Sequence, residues 1–144
     1  GRHGLPQDEL RAAIAALPGL GVEVLAVSRI RSTPPLGPSL RRYANGAVLG
    51  RWQGAPEDLL LTLKRLERDF GRRRNRRWGE RVLDCDILAF GEEAHVSRTL
   101  AIPHARLAER RFALEPFAEL WPGWRHPFRN RTARHLLALA KKRR

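Results

Sequence analysis

The chain has 144 residues, 42% of them apolar, and carries a net charge of +13. This length suits one domain, residues 1–144, with a single core. No apolar run approaches the ~20 residues of a membrane-spanning helix, so no membrane partner is expected. The only cysteine, Cys85, excludes an internal disulfide framework and predicts a reducing, cytoplasmic location. The positive charge, nearly all arginine, predicts an anionic partner, either a nucleic acid or a polyphosphate substrate.

The first half of the chain predicts a helix, two strands and a second helix. Apolar residues at helical spacing predict a helix over Pro6–Leu17. Alternation of apolar and polar residues predicts a strand over Val22–Arg31, which a stiff, proline-rich loop follows. The next strand is predicted over Tyr43–Trp52, with two glycines interrupting it. Pro56–Phe70 predicts an amphipathic helix with acidic residues in its first turn, which Gly71 should end.

The second half predicts one more strand and then mainly helices. The charged stretch Arg72–Arg77 has no apolar anchor, so it is expected to be a loop that is mobile without ligand. The apolar run after it predicts a strand. A short helix is expected within Pro103–Phe117. A final helix, capped by Thr132, should run through Leu139 and end in the basic residues Lys141, Lys142, Arg143 and Arg144, which complement its dipole.

Two carboxylates, Asp84 and Asp86, lie two residues apart inside that third strand. Side chains in a strand alternate, so both should point to one face, roughly 6–7 Å apart, while their apolar neighbours point to the other. Two such charges repel and lose hydration unless a cation neutralises them, and ligands that are all oxygen suit Mg²⁺. Seven arginines between Arg68 and Arg81 add the charge type that binds phosphates. The pattern indicates nucleotide-dependent phosphoryl transfer.

The element order predicts an α+β fold. One further strand before residue 1 would give the order βαββαβ, a ferredoxin-like two-layer sandwich with helices on one face of an antiparallel sheet. The first strand of such a sheet is central, and its loss would expose backbone groups of two neighbours. The chain also contains no methionine. We therefore expect it to be incomplete at its N-terminus, with residues upstream of Gly1.

Three ordered motifs resemble one family. Residues 77–87 read Arg-Trp-Gly-Glu-Arg-x-Leu-Asp-x-Asp-Ile, residues 33–37 read Thr-Pro-Pro-Leu-Gly before a Tyr-x-Asn at 43–45, and Pro-His at 103–104 precedes Arg-x-Phe at 110–112. Together they are similar to the signature of 6-hydroxymethyl-7,8-dihydropterin pyrophosphokinase, an enzyme family of folate biosynthesis. The resemblance covers nearly the whole chain. It implies a monomer that passes the pyrophosphoryl group of ATP to the pterin hydroxymethyl oxygen and releases AMP.

The same resemblance assigns site residues. It implies that two Mg²⁺ ions are held by Asp84 and Asp86. The catalytic residues it implies are Arg72, Arg81, Asp84 and Asp86. The nucleotide contacts it implies are Glu67, Arg74, Arg77, Ile87, His104 and Arg110. The pterin contacts it implies are Thr33, Pro34, Leu36, Tyr43, Asn45, Trp78 and Phe112, with Tyr43 and Phe112 sandwiching the ring.

Alternatives remain open at this stage. The residues alone would also allow Glu67 to be a surface residue that pairs with Lys64. A catalytically silent relative, or a basic nucleic-acid-binding domain on the same fold, is the main competing function, and a different Mg²⁺-dependent nucleotide enzyme is another. Nucleic acid is the less favoured partner, because carboxylates repel phosphate unless a metal intervenes and no RNA-recognition motif is present.

Overall fold

The computed structural model describes residues 6–33, 43–74 and 83–143. Its α-helices are α1 (Pro6–Ala16), α2 (Pro56–Arg74), α3 (Arg111–Leu120) and α4 (Ala133–Lys142). Its strands are β1 (Glu23–Val27), β2 (Arg31–Thr33), β3 (Tyr43–Asn45), β4 (Val48–Arg51), β5 (His95–Val96) and β6 (Ala101–Ile102). Short 3₁₀ turns cover Pro18–Leu20 and Leu107–Glu109.

The two strands predicted from the first half form a hairpin that is broken in its middle. β1 pairs antiparallel with β4, and β2 pairs antiparallel with β3, as two separate ladders. Between the ladders, residues 28–30 on one side face only residues 46–47 on the other, so the extra residue disrupts the pairing. The Ser28 hydroxyl accepts from the Ala47 backbone N–H at 2.8 Å, which holds the break. The predicted strand Val22–Arg31 is therefore wrong as one continuous element.

The glycines of the second strand have different effects. The break falls at Gly46, as predicted, whereas Gly50 lies inside β4 and does not interrupt it. A Cβ at Gly50 would approach the carbonyl oxygen of Glu23 to 2.9 Å, so the close approach of β1 requires glycine there.

Helices α1 and α2 pack with the hairpin around the first core. Their apolar stripes bury Ala13, Leu66 and Phe70 together with Val22. The predicted bounds of α1 are confirmed to within one residue. The prediction that Gly71 ends α2 is wrong, because the helix continues to Arg74. Strong helix-forming arginines follow this glycine, and one glycine inside a helix costs only about 1 kcal/mol.

Helices α3 and α4 build a second core around Trp124, which is fully buried. α3 runs to Leu120, three residues beyond the predicted limit. α4 runs to Lys142, and its predicted basic end is confirmed, since Lys141 and Lys142 lie in its last turn. The capping role predicted for Thr132 is confirmed, since its hydroxyl accepts from the His135 backbone N–H at 3.2 Å. The small β5–β6 hairpin was not predicted.

The third predicted strand, which carries the two aspartates, is absent from the strands of the described ranges. Residues 83–89 have no regular secondary structure. Helices together with small antiparallel ladders make this an α+β fold, as the element order predicted. Within residues 6–33, 43–74 and 83–143, no helix has the length and apolar character needed to cross a bilayer.

Candidate active site

The segment 83–89 keeps the alternation of a strand although it has no ladder. Leu83 and Ile87 are buried in the first core, whereas Asp84 and Asp86 are exposed. An extended backbone is sufficient for this alternation, because it turns successive side chains to opposite sides. The two carboxylates therefore share the exposed side of the segment, as the sequence predicted.

The carboxylate of Glu67 on α2 holds the backbone between the two aspartates. Its Oε2 accepts from the Cys85 backbone N–H at 2.5 Å, and its Oε1 lies 3.4 Å from Lys64 Nζ. The Glu67 side chain is only 9% exposed, against 45% for that of Lys64. A backbone donor that would otherwise pair in a sheet is satisfied here by a side chain. The Lys64 pairing considered from the sequence is present, but Glu67 is not a surface residue.

The thiol of Cys85 lies on the apolar side of this segment. Burial raises its pKa to about 12, and the nearby carboxylates of Glu67, Asp84 and Asp86 add to the shift. Such a thiol stays protonated at neutral pH and is a poor nucleophile. Cys85 therefore behaves as a small hydrophobic residue rather than as a catalytic thiol.

His104 and Arg110 converge on Asp86. His104 Nε2 lies 4.0 Å and an Arg110 guanidinium nitrogen 3.9 Å from Asp86 Oδ2. The His104 backbone N–H donates to the Leu88 carbonyl at 2.9 Å, which ties the histidine to the aspartate segment. These donors are close enough to Asp86 to bind the same anionic ligand as a cation held there.

An aromatic ring adjoins the cationic end of this cluster. The Arg110 guanidinium lies 4.7 Å from the centre of the Phe112 ring, a cation–π contact. Phe112, at the start of α3, is 41% exposed. This exposure leaves ring surface available to a planar ligand.

The β2–β3 hairpin carries three of the predicted pterin contacts. Thr33 pairs with Tyr43 in the ladder, and Arg31 pairs with Asn45. The Tyr43 side chain is 44% exposed. Helix α3 lies beside β3. The two predicted aromatic walls, Tyr43 and Phe112, therefore belong to neighbouring elements.

Glu119, near the end of α3, links this hairpin to the helix. Its Oε2 accepts from the Arg29 backbone N–H at 2.9 Å, and its Oε1 accepts from the Arg31 guanidinium at 2.9 Å. These bonds hold the pKa of the Glu119 carboxyl below its usual value, the Arg29 N–H contributing most. The sequence analysis missed Glu119, because its partners lie 88 and 90 residues away and no local pattern reports them.

The remaining predicted site residues lie in α2, in the first core or outside the described ranges. Arg72 and Arg74 belong to the last turn of α2 rather than to a loop, so the loop prediction is wrong for residues 72–74. Ile87 is buried in the first core and can offer a ligand only its backbone. The predicted residues outside the described ranges are Pro34, Leu36, Arg77, Trp78 and Arg81.

The donor set at the aspartates fits Mg²⁺ that is bound together with phosphates. Asp84 and Asp86 offer oxygen ligands on one exposed side. Among the residues that the structure describes, no group of three or more His, Cys, Asp or Glu side chains could enclose a metal ion. Mg²⁺ is commonly bound by one or two carboxylates, with substrate phosphates and water completing its octahedron. Two carboxylates beside cationic side chains can therefore hold a metal–polyphosphate complex.

A family model and two bacterial relatives share one named activity with each other. The family model described as 7,8-dihydro-6-hydroxymethylpterin-pyrophosphokinase matches residues 2–122. A 2-amino-4-hydroxy-6-hydroxymethyldihydropteridine pyrophosphokinase of Synechocystis sp. is 37% identical over 138 residues, covering 95% of this chain and 71% of that protein. The protein of the same name from Pseudomonas aeruginosa is 40% identical over 124 residues, covering 85% and 76%. A mitochondrial folate synthesis bifunctional protein of Arabidopsis thaliana is 38% identical over 118 residues, which span 81% of this chain and 21% of that protein.

Proposed function

Because this chain belongs to the 7,8-dihydro-6-hydroxymethylpterin-pyrophosphokinase family, we propose that it transfers the pyrophosphoryl group of ATP to 6-hydroxymethyl-7,8-dihydropterin. The pterin hydroxymethyl oxygen attacks the β-phosphorus, the bond from that phosphorus to the oxygen of the α-phosphate breaks, and AMP leaves. The hydroxyl proton is released. The chain is thus a transferase of folate biosynthesis.

The observation that carries the proposal is the convergence on Asp86. Its Oδ2 has His104 and Arg110 nitrogens within 4.0 Å, although Asp86 belongs to one sequence motif and these two residues belong to another. A carboxylate for a cation and two donors for phosphate oxygens are the parts that phosphoryl transfer requires, because catalysis there consists of positioning and charge stabilisation.

We propose that Asp84 and Asp86 hold two Mg²⁺ ions on the triphosphate. The ions would neutralise phosphate charge and align the transferred group. The shared exposed side of the two carboxylates supports this assignment. His104 and Arg110 are proposed to bind the nucleotide phosphates, and Glu67, Arg74, Arg77 and Ile87 stay predictions as further nucleotide contacts.

The pterin is proposed to lie between Tyr43 and Phe112. Both rings are partly exposed, at 44% and 41%, and aromatic faces stack well on a planar heterocycle. Asn45 can both donate to and accept from the pterin amide edge, and a buried edge left unpaired would cost about 1–3 kcal/mol, which rejects other rings. The further predicted pterin contacts are Thr33, Pro34, Leu36 and Trp78.

Arginines in the last turns of α2 and in the stretch from α2 to the aspartates are proposed to cover the bound substrates. The count of seven arginines over residues 68–81 supports this role, because guanidinium groups bind phosphates in bidentate fashion. Arg72 and Arg81 are the proposed contacts on the transferred group. Exclusion of water by such a cover would limit ATP hydrolysis.

The finer description of the protein also stays a proposal. We propose a ferredoxin-like arrangement, a monomer and a cytoplasmic location. The antiparallel pairing of β1 with β4 supports the first. A cavity of 460 Å³ supports it as well. Both β4 and residues 83–91 line this cavity, and a ferredoxin-like sheet would join these two segments.

The test is AMP formation from MgATP and the hydroxymethyl pterin by purified protein. Asp84→Asn and Asp86→Asn should each lower turnover by roughly 10²–10³-fold or more, as for other lost transition-state contacts. Since both residues are exposed, stability should change by less than about 0.5 kcal/mol. Glu93→Gln, which removes another exposed carboxylate, is the matched control and should retain full turnover.

The outcome also separates the competing functions. Absence of AMP from the unmodified protein, together with binding to DNA that weakens steeply with salt, would favour the nucleic-acid-binding alternative. Normal turnover of both asparagine variants would refute the metal assignment while leaving the transferase activity intact.

A further inference from the structure

We propose that Glu119 is a positioning residue that fixes the β2–β3 hairpin against α3 and thereby sets the gap between the two aromatic walls of the pterin pocket. The inference rests on the proposed function for its substrate. It assigns to Glu119 a role in pterin binding without direct contact with the pterin.

The first support is the pair of contacts that Glu119 makes. Each carboxylate oxygen has its own donor, the Arg29 backbone N–H for Oε2 and the Arg31 guanidinium for Oε1, both at 2.9 Å. Arg31 also donates to the Arg29 carbonyl at 3.3 Å, so the two arginines and the carboxylate form one network. Two separate donors define the direction of the side chain, which a single contact would leave free to rotate.

The second support is the place of these donors on the hairpin. Arg31 is the first residue of β2 and pairs with Asn45, while Thr33, two residues further on, pairs with Tyr43. Two residues of strand span about 7 Å. Glu119 thus binds the hairpin at the ladder position of Asn45, one predicted pterin contact. The next two predicted contacts, Thr33 and Tyr43, lie two residues further along the ladder.

The third support is the place of Glu119 on the helix. Phe112 precedes Glu119 by seven residues in α3. Seven residues make two helical turns, so both side chains lie on the same face, about 10 Å apart along the axis. One rigid helix therefore presents the Phe112 wall at one end and holds the hairpin of the Tyr43 wall at the other.

The charge of Glu119 explains why the effect should be local. Hydrogen bonds from Arg29 and Arg31 lower the pKa of this carboxyl, so it is ionised at neutral pH. The side chain is 31% exposed, and pairs as exposed as this contribute little to global stability. Loss of the carboxylate should consequently loosen the hairpin without unfolding the protein.

The test compares Glu119→Ala and Glu119→Gln with the control Glu115→Gln. Glu115 lies on the same helix, is 28% exposed and accepts from Arg111 at 3.1 Å, but this pair stays within α3. Steady-state kinetics with MgATP and the hydroxymethyl pterin measure KM for each substrate. Hydrogen exchange of the backbone amides in residues 31–33 and 43–45 measures the hairpin directly.

The expected result is a split between the two substrates. Glu119→Ala should raise the pterin KM about ten-fold and speed exchange in the hairpin about ten-fold, with the ATP KM within about two-fold of the unmodified value. Glu119→Gln, which keeps one accepting oxygen, should lie between. Glu115→Gln should match the unmodified protein in all three measurements.

Unchanged pterin KM and hairpin exchange in Glu119→Ala would overturn the proposal, as would an equal effect of Glu115→Gln. If Glu119→Ala fails to fold, Arg31→Gln breaks the same link from the hairpin side and should show the same split, and its absence would also overturn the proposal. If the unmodified protein makes no AMP, the proposed function fails and the assigned role fails with it, while faster exchange in Glu119→Ala would still report the anchor itself.

Discussion

Removal of Glu67 tests how the backbone between the two aspartates is held. Glu67→Ala deletes the acceptor of the Cys85 backbone N–H and leaves that half-buried donor without its partner. An orphaned donor of this kind costs about 1–3 kcal/mol, and loss of the contact with Lys64 adds at most about 1 kcal/mol. We expect a destabilisation of about 2 kcal/mol, which lowers Tm by roughly 4–8 °C for a chain of this size. Turnover should fall as well, because Asp84 and Asp86 flank the released residue.

Two variants separate the hydrogen bond from the ion pair. Glu67→Gln keeps an oxygen that can accept from Cys85 and should cost less than about 1 kcal/mol. Lys64→Met removes only the partly exposed cation and should cost about 0.5 kcal/mol or less. Urea unfolding followed by tryptophan fluorescence measures all three, with equal m-values as the check that only stability has changed. If Lys64→Met proves as costly as Glu67→Ala, or if Glu67→Ala costs less than about 0.5 kcal/mol, the backbone bond does not hold this segment.

The remaining predictions concern the second core. Burial lowers the pKa of His126 below its ordinary 6.5, and its Nδ1 accepts from the Phe128 and Arg129 backbone N–H groups, so the folded state keeps the ring neutral. The unfolded chain then binds more protons, and the free energy of unfolding should fall as pH drops below about 6.5. His126→Asn, which keeps an acceptor, should reduce this dependence of the unfolding free energy on pH between pH 7 and 5, as measured by urea titrations. An unchanged pH dependence would contradict the prediction. Trp124→Phe removes a 2.8 Å bond to the Gly91 carbonyl and leaves a void, which should cost about 2–4 kcal/mol in thermal unfolding.

Sequence periodicity predicted those parts of the fold that depend on local pattern. The apolar stripes of α1 and α2 and the alternation over residues 22–30 are present as predicted. The hairpin break at Ser28 was not predicted, because it depends on a hydroxyl that meets Ala47 across the ladder. The continuation of α2 past Gly71 was missed for a different reason. Glycine lowers helix stability by only about 1 kcal/mol, and the helix propensity of the arginines that follow can offset this cost.

In the candidate site, too, local motifs predicted some residues and missed those that depend on distant contacts. Asp86, His104 and Arg110 were predicted from motifs, and the fold brings them within 4.0 Å. Sequence motifs contain residues that a reaction needs. They therefore identify chemically active residues better than residues that only hold those residues in place. Glu119 and Arg31 are 88 residues apart, and no periodicity or spacing in a single sequence connects a helix end to a distant hairpin. Physical support of this kind becomes visible only in three dimensions.

The aspartate segment shows why the predicted strand failed while its predicted faces were right. Alternation requires only an extended backbone with one buried side, and Leu83 and Ile87 provide that side. A strand requires in addition a neighbouring ladder, whereas here the Cys85 backbone N–H donates to the Glu67 carboxylate and the Leu88 carbonyl accepts from the His104 backbone N–H. Both partners are themselves predicted nucleotide contacts. The aspartate segment is therefore tied to two of the proposed nucleotide contacts, so a change that displaces Glu67 or His104 should disturb the proposed metal and nucleotide binding together.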